Sequence, residues 1–140
     1  MQVIDRTPRN PLNVLDPDLI GRTFPGTDST LVSQERIDSF AAAVGESDTH
    51  IAPPTFAISI TLDQSQKLLQ ESGLDWTRVV HGDQRFQIFR PIVAGDSLIC
   101  SSTIESARVM AGNEIVTVRS DLHADSELVV STWSTLVVRA

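Results

Sequence analysis

Cysteine, clustered basic residues and long apolar runs are all scarce in this sequence of 140 residues. Cys100 is the only cysteine, which excludes a disulfide within the chain and argues against a cysteine-based metal site. The net charge is −7 and no Lys/Arg cluster occurs, so nucleic acid is not an expected partner. No stretch reaches the roughly 18 apolar residues that span a membrane, and the first 21 residues lack the apolar run of a signal peptide. A cytoplasmic protein without membrane contact is expected.

The overall composition is that of an ordinary globular domain. Hydrophobic residues make up 41% of the chain and charged residues 21%, and this length suits one domain with its own core. Residues 1–17 contain Pro8, Pro11 and Pro17, and they are predicted to form an extended N-terminal arm. Residues 18–140 are predicted to form the single domain.

The first half of the domain reads as a short strand followed by two helices. "LIGRTF" predicts the strand and "PGTDST" a turn after it. Ser33 is a suitable N-cap for a first helix that ends at Gly45, and its predicted apolar stripe consists of Ile37, Phe40, Ala41 and Val44. A second helix is predicted from about Thr55 to Ser72. Its first half, "FAISITL", is apolar on nearly every side, so that end must be enclosed by other parts of the fold.

From Val79 onward the pattern changes to the period of two that is typical of strands. "QRFQIFR", "SLICSSTIES", "EIVTVRSDL" and "LVVSTWSTLVV" are predicted to be four strands. The links between them, "PIVAGD", "MAGN" and "HADSE", are short, which favours an antiparallel meander. A curved antiparallel sheet wrapped around one long helix best meets the burial demand of that helix. The prediction is therefore an α+β protein with the hot-dog fold, and a cystatin-like cone, a non-enzymatic ligand-binding protein, is the alternative.

Four short motifs resemble the MaoC-like dehydratase family, and within it the N-terminal, FAS1-like dehydratase branch, which includes subunits of actinobacterial (3R)-hydroxyacyl-ACP dehydratases. They are "PPTF" before the central helix (53–56), "HGDQ" (81–84), "RPIVAGD" (90–96) and "STLVVR" (134–139). The likeness covers roughly residues 18–139. It implies pairing of two hot-dog subunits, binding of an acyl thioester on CoA or acyl carrier protein, and reversible hydration of 2-enoyl thioesters in the catalytic members.

Catalytic members of this family carry a loop of the form G-D-x-N-P-x-H directly after the first helix. Such a loop supplies a carboxylate that holds water and an imidazole that takes a proton. Here "GESDTH" places Glu46 at the aspartate position, whereas His50 comes one residue early and Thr49 replaces the proline. One residue of extended chain spans about 3 Å, and a misplacement of about 1 Å can cost a hundredfold in rate. Glu46 and His50 are therefore the catalytic candidates, but a degenerate loop in a subunit that acts with a partner is favoured.

The candidate substrate-binding residues flank this loop in the resemblance. They are Pro54, Thr55 and Phe56 at the start of the second helix, with Thr55 as its N-cap, and His81, Gly82 and Gln84 at the mouth of the thioester groove. For His81 a structural role at the start of a strand is an equal alternative. Backbone N–H groups after Thr55 would hold the developing oxyanion. No cofactor is expected, and three scattered histidines predict no metal site.

Two further alternatives stay open at the level of sequence. The chain could be a self-sufficient (3R)-hydroxyacyl thioester dehydratase that uses Glu46 and His50. It could be a hot-dog thioesterase, for which Asp63 or Asp83 would supply the acid, although an exposed helix face and a turn explain these two residues more simply. Arg78, Arg85 and Arg90 could form a local basic patch for a thioester carrier. Trp76 and Trp133 are expected in the core or at a subunit contact, and His123 in a solvated turn.

Overall fold

The computed structural model describes residues 15–140, so most of the predicted N-terminal arm lies outside the described residues. The described chain contains two helices, two short 3₁₀ helices and six strands. The helices are α1 (Gln34–Val44) and α2 (Ile58–Glu71), and the 3₁₀ helices are Pro17–Leu19 and Trp76–Arg78. The strands are β1 (Thr23–Phe24), β2 (Ser29–Leu31), β3 (Val79–Ile88), β4 (Ser97–Met110), β5 (Asn113–Ala124) and β6 (Glu127–Val138). No helix among these residues is long and apolar enough to cross a membrane.

All six strands belong to one antiparallel sheet that packs against α2. The strand order is β1-β4-β5-β6-β3, and β2 pairs with β4 beside β1. Helix α2 contacts β4, β5 and β6 in the middle of this sheet. Inward-facing residues alternate with outward-facing ones along β5 and β6, as expected for strands with one face on the core. The predicted α+β class and the central position of the second helix are confirmed.

The predicted four-strand meander is correct only for β4, β5 and β6. Strand β3 pairs with β6 along its whole length, from Val79↔Val138 to Ile88↔Val130, and not with β4, the next strand along the chain. The segment "PIVAGD" therefore connects strands that are not neighbours. Within residues 15–140, β3 has a strand on one side only, and its other edge leaves backbone groups available for pairing.

The limits of α1 agree with the prediction. The Arg36 N–H donates to the Ser33 hydroxyl at 3.1 Å, and Gly45 adopts a left-handed conformation with φ 77° at the C-cap. Ile37 and Ala41 are buried and Phe40 packs on the core. The stripe is wrong at its last member, because Val44, the last residue of the helix, is 53% exposed.

Helix α2 begins three residues later than predicted. Its N-cap is Ala57, which makes no side-chain capping hydrogen bond, so the prediction of Thr55 as N-cap is wrong. Residues 53–60 form successive tight turns instead, in which the Phe56 N–H donates to the Pro53 carbonyl at 2.9 Å and the Ile58 N–H to the Thr55 carbonyl at 3.1 Å. Bonds of this i→i+3 kind are common at helix ends.

Three local predictions in the strand regions are also corrected. Part of "PGTDST" is strand β2, which pairs with β4 at Ser29↔Ile99. His81 lies inside β3 and not before it, next to a bulge at Gly82. His123 lies in β5 opposite Leu128 and is half-buried, so it is not a solvated turn residue.

The core under α2 has two apolar clusters with a polar layer between them. One cluster surrounds Phe56 and Val130 at the N-terminal end of α2, and the other surrounds Leu69 and Leu136 at its C-terminal end. Buried hydroxyl residues separate the clusters, and we refer to this set as the hydroxyl layer. It consists of Thr61, Ser65, Ser102, Ser120, Thr132 and Ser134.

Candidate functional site

The loop that holds the catalytic candidates is a self-bonded polar turn. The Asp48 N–H donates to the Glu46 carboxylate at 3.1 Å, and the His50 N–H donates to the Asp48 carboxylate at 3.0 Å. Gln34 of α1 donates its side-chain amide to the Thr49 carbonyl at 2.9 Å and fastens the loop to the helix. Glu46, Asp48 and His50 are all exposed. Their side-chain and backbone bonds stabilise the turn itself, as short polar side chains do in many loops.

An apolar pocket of about 80 Å³ opens immediately after this loop. Its walls come from residues 51–54, the N-cap of α2, the end of β3, the segment after it and β6. All nine lining residues are apolar: Ile51, Ala52, Pro53, Pro54, Ala57, Ile88, Pro91, Ile92 and Val130. The Ala52 N–H donates to the Ile92 carbonyl at 2.8 Å, so two of the walls are joined through backbone. The pocket can hold an apolar group, but it offers no acid, base or nucleophile.

Only one of the predicted binding residues lines this pocket. Pro54 forms part of its wall, whereas Thr55 is exposed and outside it. Phe56 points into the core, where it is fully buried and packs edge-on against Phe40 with ring centroids 5.5 Å apart. The Arg36 guanidinium lies 5.9 Å from the Phe56 ring centre. Phe56 thus supports the pocket from behind and does not face it.

The "HGDQ" residues lie near the start of β3, whereas the pocket lies at the end of this strand, at Ile88. His81 and Gly82 are exposed. A Cβ atom at Gly82 would meet Val137 Cγ2 at 3.3 Å and the Thr135 carbonyl at 3.4 Å, which is close but not a collision. Gln84 is half-buried and accepts a hydrogen bond from the Ser134 hydroxyl at 2.6 Å. The sequence motifs did not mark the pocket end of the strand, at Ile88.

The "RPIVAGD" bend and the predicted basic patch prove to be structural features. Arg90 is neutralised by Asp96 and Glu127, with N–O distances of 2.9 and 2.7 Å. Hydrogen bonding to these carboxylates raises the pKa of Arg90, and hydrogen bonding from Arg90 lowers the pKa of Asp96. The Arg85 guanidinium stacks 4.7 Å from the Trp133 ring centre on the outer face of the sheet. Arg85 and Arg90 therefore have separate local roles.

A second and larger groove, of about 470 Å³, runs along the opposite flank of α2. Asp63 and Lys67 line it together with the chain between β1 and β2. Its lining is mixed in charge, and Asp63 is the only predicted site residue that it contains. The groove is larger than the apolar pocket, but its charged and polar lining is less suited to an apolar acyl chain. Cys100, at its base, is buried, and burial raises the pKa of this thiol, so the residue is not an activated nucleophile.

The residues that line the pocket could be found from sequence only in part. Pro53 and Pro54 stand in the recognised "PPTF" motif, but Ile88, Ile92 and Val130 carry no chemical signature. They are ordinary apolar residues at strand ends, and they meet only because β3 pairs with β6. Within residues 15–140 no group of three or more His, Cys, Asp or Glu side chains is placed to hold a metal ion.

Comparison with known proteins identifies the family to which the chain belongs. Residues 18–132 match the family described as "FAS1-like, dehydratase domain region". A UPF0336 protein of Streptomyces griseus is 44% identical over an alignment that covers 90% of this chain and 96% of the relative. A UPF0336 protein of Leifsonia xyli is 40% identical, with coverage of 89% and 96%.

Solved structures give the same result for the fold. The C-terminally truncated HadBC (3R-hydroxyacyl-ACP dehydratase) complex of Mycobacterium tuberculosis superposes with a TM-score of 0.73 at 28% identity, covering 88% of this chain and 99% of that one. A MaoC-like dehydratase superposes with a TM-score of 0.75 at 22% identity, covering 87% of this chain and 42% of that one, and this likeness concerns the fold alone. These matches favour the hot-dog fold over the cystatin-like alternative. The chain therefore belongs to the FAS1-like dehydratase-domain family, and its fold is the MaoC-like hot-dog fold.

Proposed function

We propose that this protein is the acyl-thioester-binding subunit of a MaoC-like (3R)-hydroxyacyl dehydratase or enoyl hydratase, and that a second hot-dog subunit supplies the acid–base pair. The observation that carries the proposal is the all-apolar lining of the pocket beside the 45–50 loop. Apolar walls bind an acyl chain by removing its surface from water. Proton transfer needs a positioned acid or base, and none of the nine lining side chains is one.

The state of the loop supports a binding role over a catalytic one. The Glu46 and Asp48 carboxylates accept hydrogen bonds from backbone N–H groups two residues further along the chain, so each carboxylate already has a structural use. His50 stands one residue nearer the helix than in the family pattern. Both candidates are exposed, whereas general acids and bases work best in sites that exclude water.

The free edge of β3 supports assembly with a second subunit. This strand is ten residues long and pairs on one side only among the described residues. Val80, Ile88 and Phe89 are 46%, 44% and 51% exposed on it or next to it. An uncovered edge with apolar side chains is a natural place for another strand to add. Because Ile88 also lines the pocket, a subunit placed there would reach the bound thioester.

The proposal is tested by measuring binding and turnover separately. Purified protein should bind butyryl-CoA in a calorimetric titration but should not hydrate crotonyl-CoA alone. Turnover should appear when a hot-dog subunit with an intact Asp/His loop is added. Glu46→Gln and His50→Ala should leave the rate of that complex unchanged, whereas loss of a working acid or base would cost about a hundredfold or more.

Two outcomes would replace the proposal with another reading. Hydration by the chain alone that is abolished by Glu46→Gln or His50→Ala would identify a self-sufficient dehydratase. Release of free CoA without hydration would identify a thioesterase. An acyl carrier protein thioester should be titrated beside the CoA thioester, since both carry the same acyl group into the same pocket. A cytoplasmic location is part of the proposal and is tested by fractionation of cells that express the tagged chain.

A further inference from the structure

The sheet register identifies the residues that lie next to the pocket along β3 and β6. Opposite residues of an antiparallel pair share one face of the sheet. Ile88 pairs with Val130, and both line the pocket. The next inward-facing pair along the same strands is Phe86↔Thr132, and the one after it is Gln84↔Ser134. The N-cap of α2, Ala57, lines the pocket, and Thr61 follows it one helical turn later.

Phe86, Thr132 and Thr61 form the second row, next to the pocket wall, and their side chains fill the space there. Thr132 is fully buried and Thr61 is 1% exposed, while Phe86 packs against the apolar cluster around Phe56 and Val130. The Thr132 hydroxyl donates to the Ser120 carbonyl at 3.4 Å. The Thr61 hydroxyl has no hydrogen-bond partner within the described part of the chain, and the end of an apolar chain would give it none.

Beyond the second row, farther from the pocket, lie polar side chains that are hydrogen-bonded to one another. The Ser134 hydroxyl donates to Gln84 at 2.6 Å, and the Ser65 and Ser120 hydroxyls lie 3.5 Å apart. An acyl chain that entered this row would have to separate groups that already satisfy one another, and a buried group left without a partner is costly. The hydroxyl layer thus separates the pocket from the second apolar cluster, around Leu69 and Leu136.

We propose that the pocket selects short acyl groups, of about four carbons, and that Phe86, Thr61 and Thr132 set this limit. The inference rests on the proposed function, because it names the substrate class of the same site. A cavity of about 150 Å³ accommodates the six carbons of benzene, so the 80 Å³ pocket has room for about three carbons beyond the thioester carbonyl. The chemical class is therefore a short-chain acyl or 2-enoyl thioester of the butyryl and crotonyl type.

The test is the dependence of affinity on chain length. Acetyl-, butyryl-, hexanoyl-, octanoyl- and decanoyl-CoA are titrated into the full chain by calorimetry. Each methylene that leaves water should raise affinity about fourfold. We expect this increase from acetyl to butyryl and no increase beyond it. A rise that continues at about fourfold per methylene to decanoyl-CoA would overturn the length limit and leave the proposed function standing. Absence of binding by every thioester would overturn the proposed function and, with it, this inference.

Two variants, one beside the pocket and one control, locate the limit. Phe86→Ala should open the second row, so the affinity ratio of octanoyl-CoA to butyryl-CoA should rise by about tenfold or more. Val109→Ala, which shortens a 40% exposed side chain on β4 outside the lining, should leave that ratio unchanged. An unchanged ratio in a folded Phe86→Ala protein would contradict the assignment of Phe86. If Phe86→Ala does not fold, the chain-length series on the unaltered protein still decides the inference.

Discussion

Arg90 and Asp96 close the bend between β3 and β4 through two parallel hydrogen bonds, Nη1–Oδ2 at 2.9 Å and Nη2–Oδ1 at 3.1 Å. The Asp96 carboxylate also accepts from the Val93 N–H at 2.9 Å. Asp96 is 13% exposed and Arg90 29%, so solvent weakens this pair less than it weakens a typical surface pair. The bend carries Pro91 and Ile92 into the pocket wall, and the ion pair therefore helps to shape the candidate site.

We expect Asp96→Asn to lower the free energy of unfolding by about 1–3 kcal/mol, since hydrogen bonds to charged groups contribute about that much. Urea unfolding at neutral pH measures the change. Asp63→Asn is the matched control, because Asp63 is exposed on α2 and such substitutions usually change stability by less than about 0.5 kcal/mol. Equal stability of the Asp96→Asn protein and the unaltered protein would show that the ion pair does not hold the bend.

The same carboxylate predicts a dependence of stability on pH. Hydrogen bonding from Arg90 lowers the pKa of Asp96 in the folded state, whereas in the unfolded chain an aspartate titrates near about 3.9. The unfolded state thus binds the proton more readily. The contribution is fully present above about pH 4 and is lost as the pH falls through the lower, folded pKa. The stability difference between the unaltered protein and Asp96→Asn should therefore shrink in urea titrations below pH 4. A difference that is constant down to pH 2 would contradict this.

Among the glycines of the described chain, Gly26 has the least space for a Cβ atom, so we expect its substitution to be the least tolerated on steric grounds. A Cβ atom there would collide with the Cys100 carbonyl oxygen, which is backbone and cannot turn away. Gly26→Ala should therefore force the chain between β1 and β2 off β4 and cost about 1–3 kcal/mol or more. Gly82→Ala is the control, because its nearest contacts are at 3.3 and 3.4 Å. Thermal unfolding of the two variants should show a clear loss for Gly26→Ala and a small change for Gly82→Ala.

The parts of the fold that the sequence predicted correctly depend on short-range chemistry. Ser33 and Gly45 delimit α1 because capping acts within a few residues, and the alternation of β5 and β6 reflects a sheet with one buried face. The pairing of β3 with β6 could not be deduced this way. The pattern of a strand indicates which of its faces is buried but not which strand lies beside it, so the short "PIVAGD" link favours a pairing of β3 with β4 that does not form.

The site was harder to predict than the fold for the same reason. Glu46 and His50 are catalytic candidates by sequence because their side chains can transfer protons. The direction in which these side chains point depends on the turn they form. Ile88 and Val130 carry no chemical signal, and they form a pocket wall only through a pairing between strands that are about 40 residues apart. Thr55 is a good N-cap by residue type, which favours an earlier start of α2. In the structure the Thr55 carbonyl accepts the Ile58 N–H within the turns after Pro53, and α2 begins only at Ile58.

Gln84 supplies the last prediction, because its structural and substrate-binding roles lead to different results. Its side-chain oxygen accepts from Ser134, which is 2% exposed. Gln84→Ala would leave that buried hydroxyl without its acceptor, so we expect a loss of about 1–3 kcal/mol in unfolding free energy. Butyryl-CoA affinity should stay the same, because Gln84 lies two inward-facing rows from the pocket wall at Ile88. Gln87→Ala, on the same strand but exposed, should change neither quantity. Unaltered stability with affinity lowered about tenfold would mean that Gln84 contacts the thioester directly.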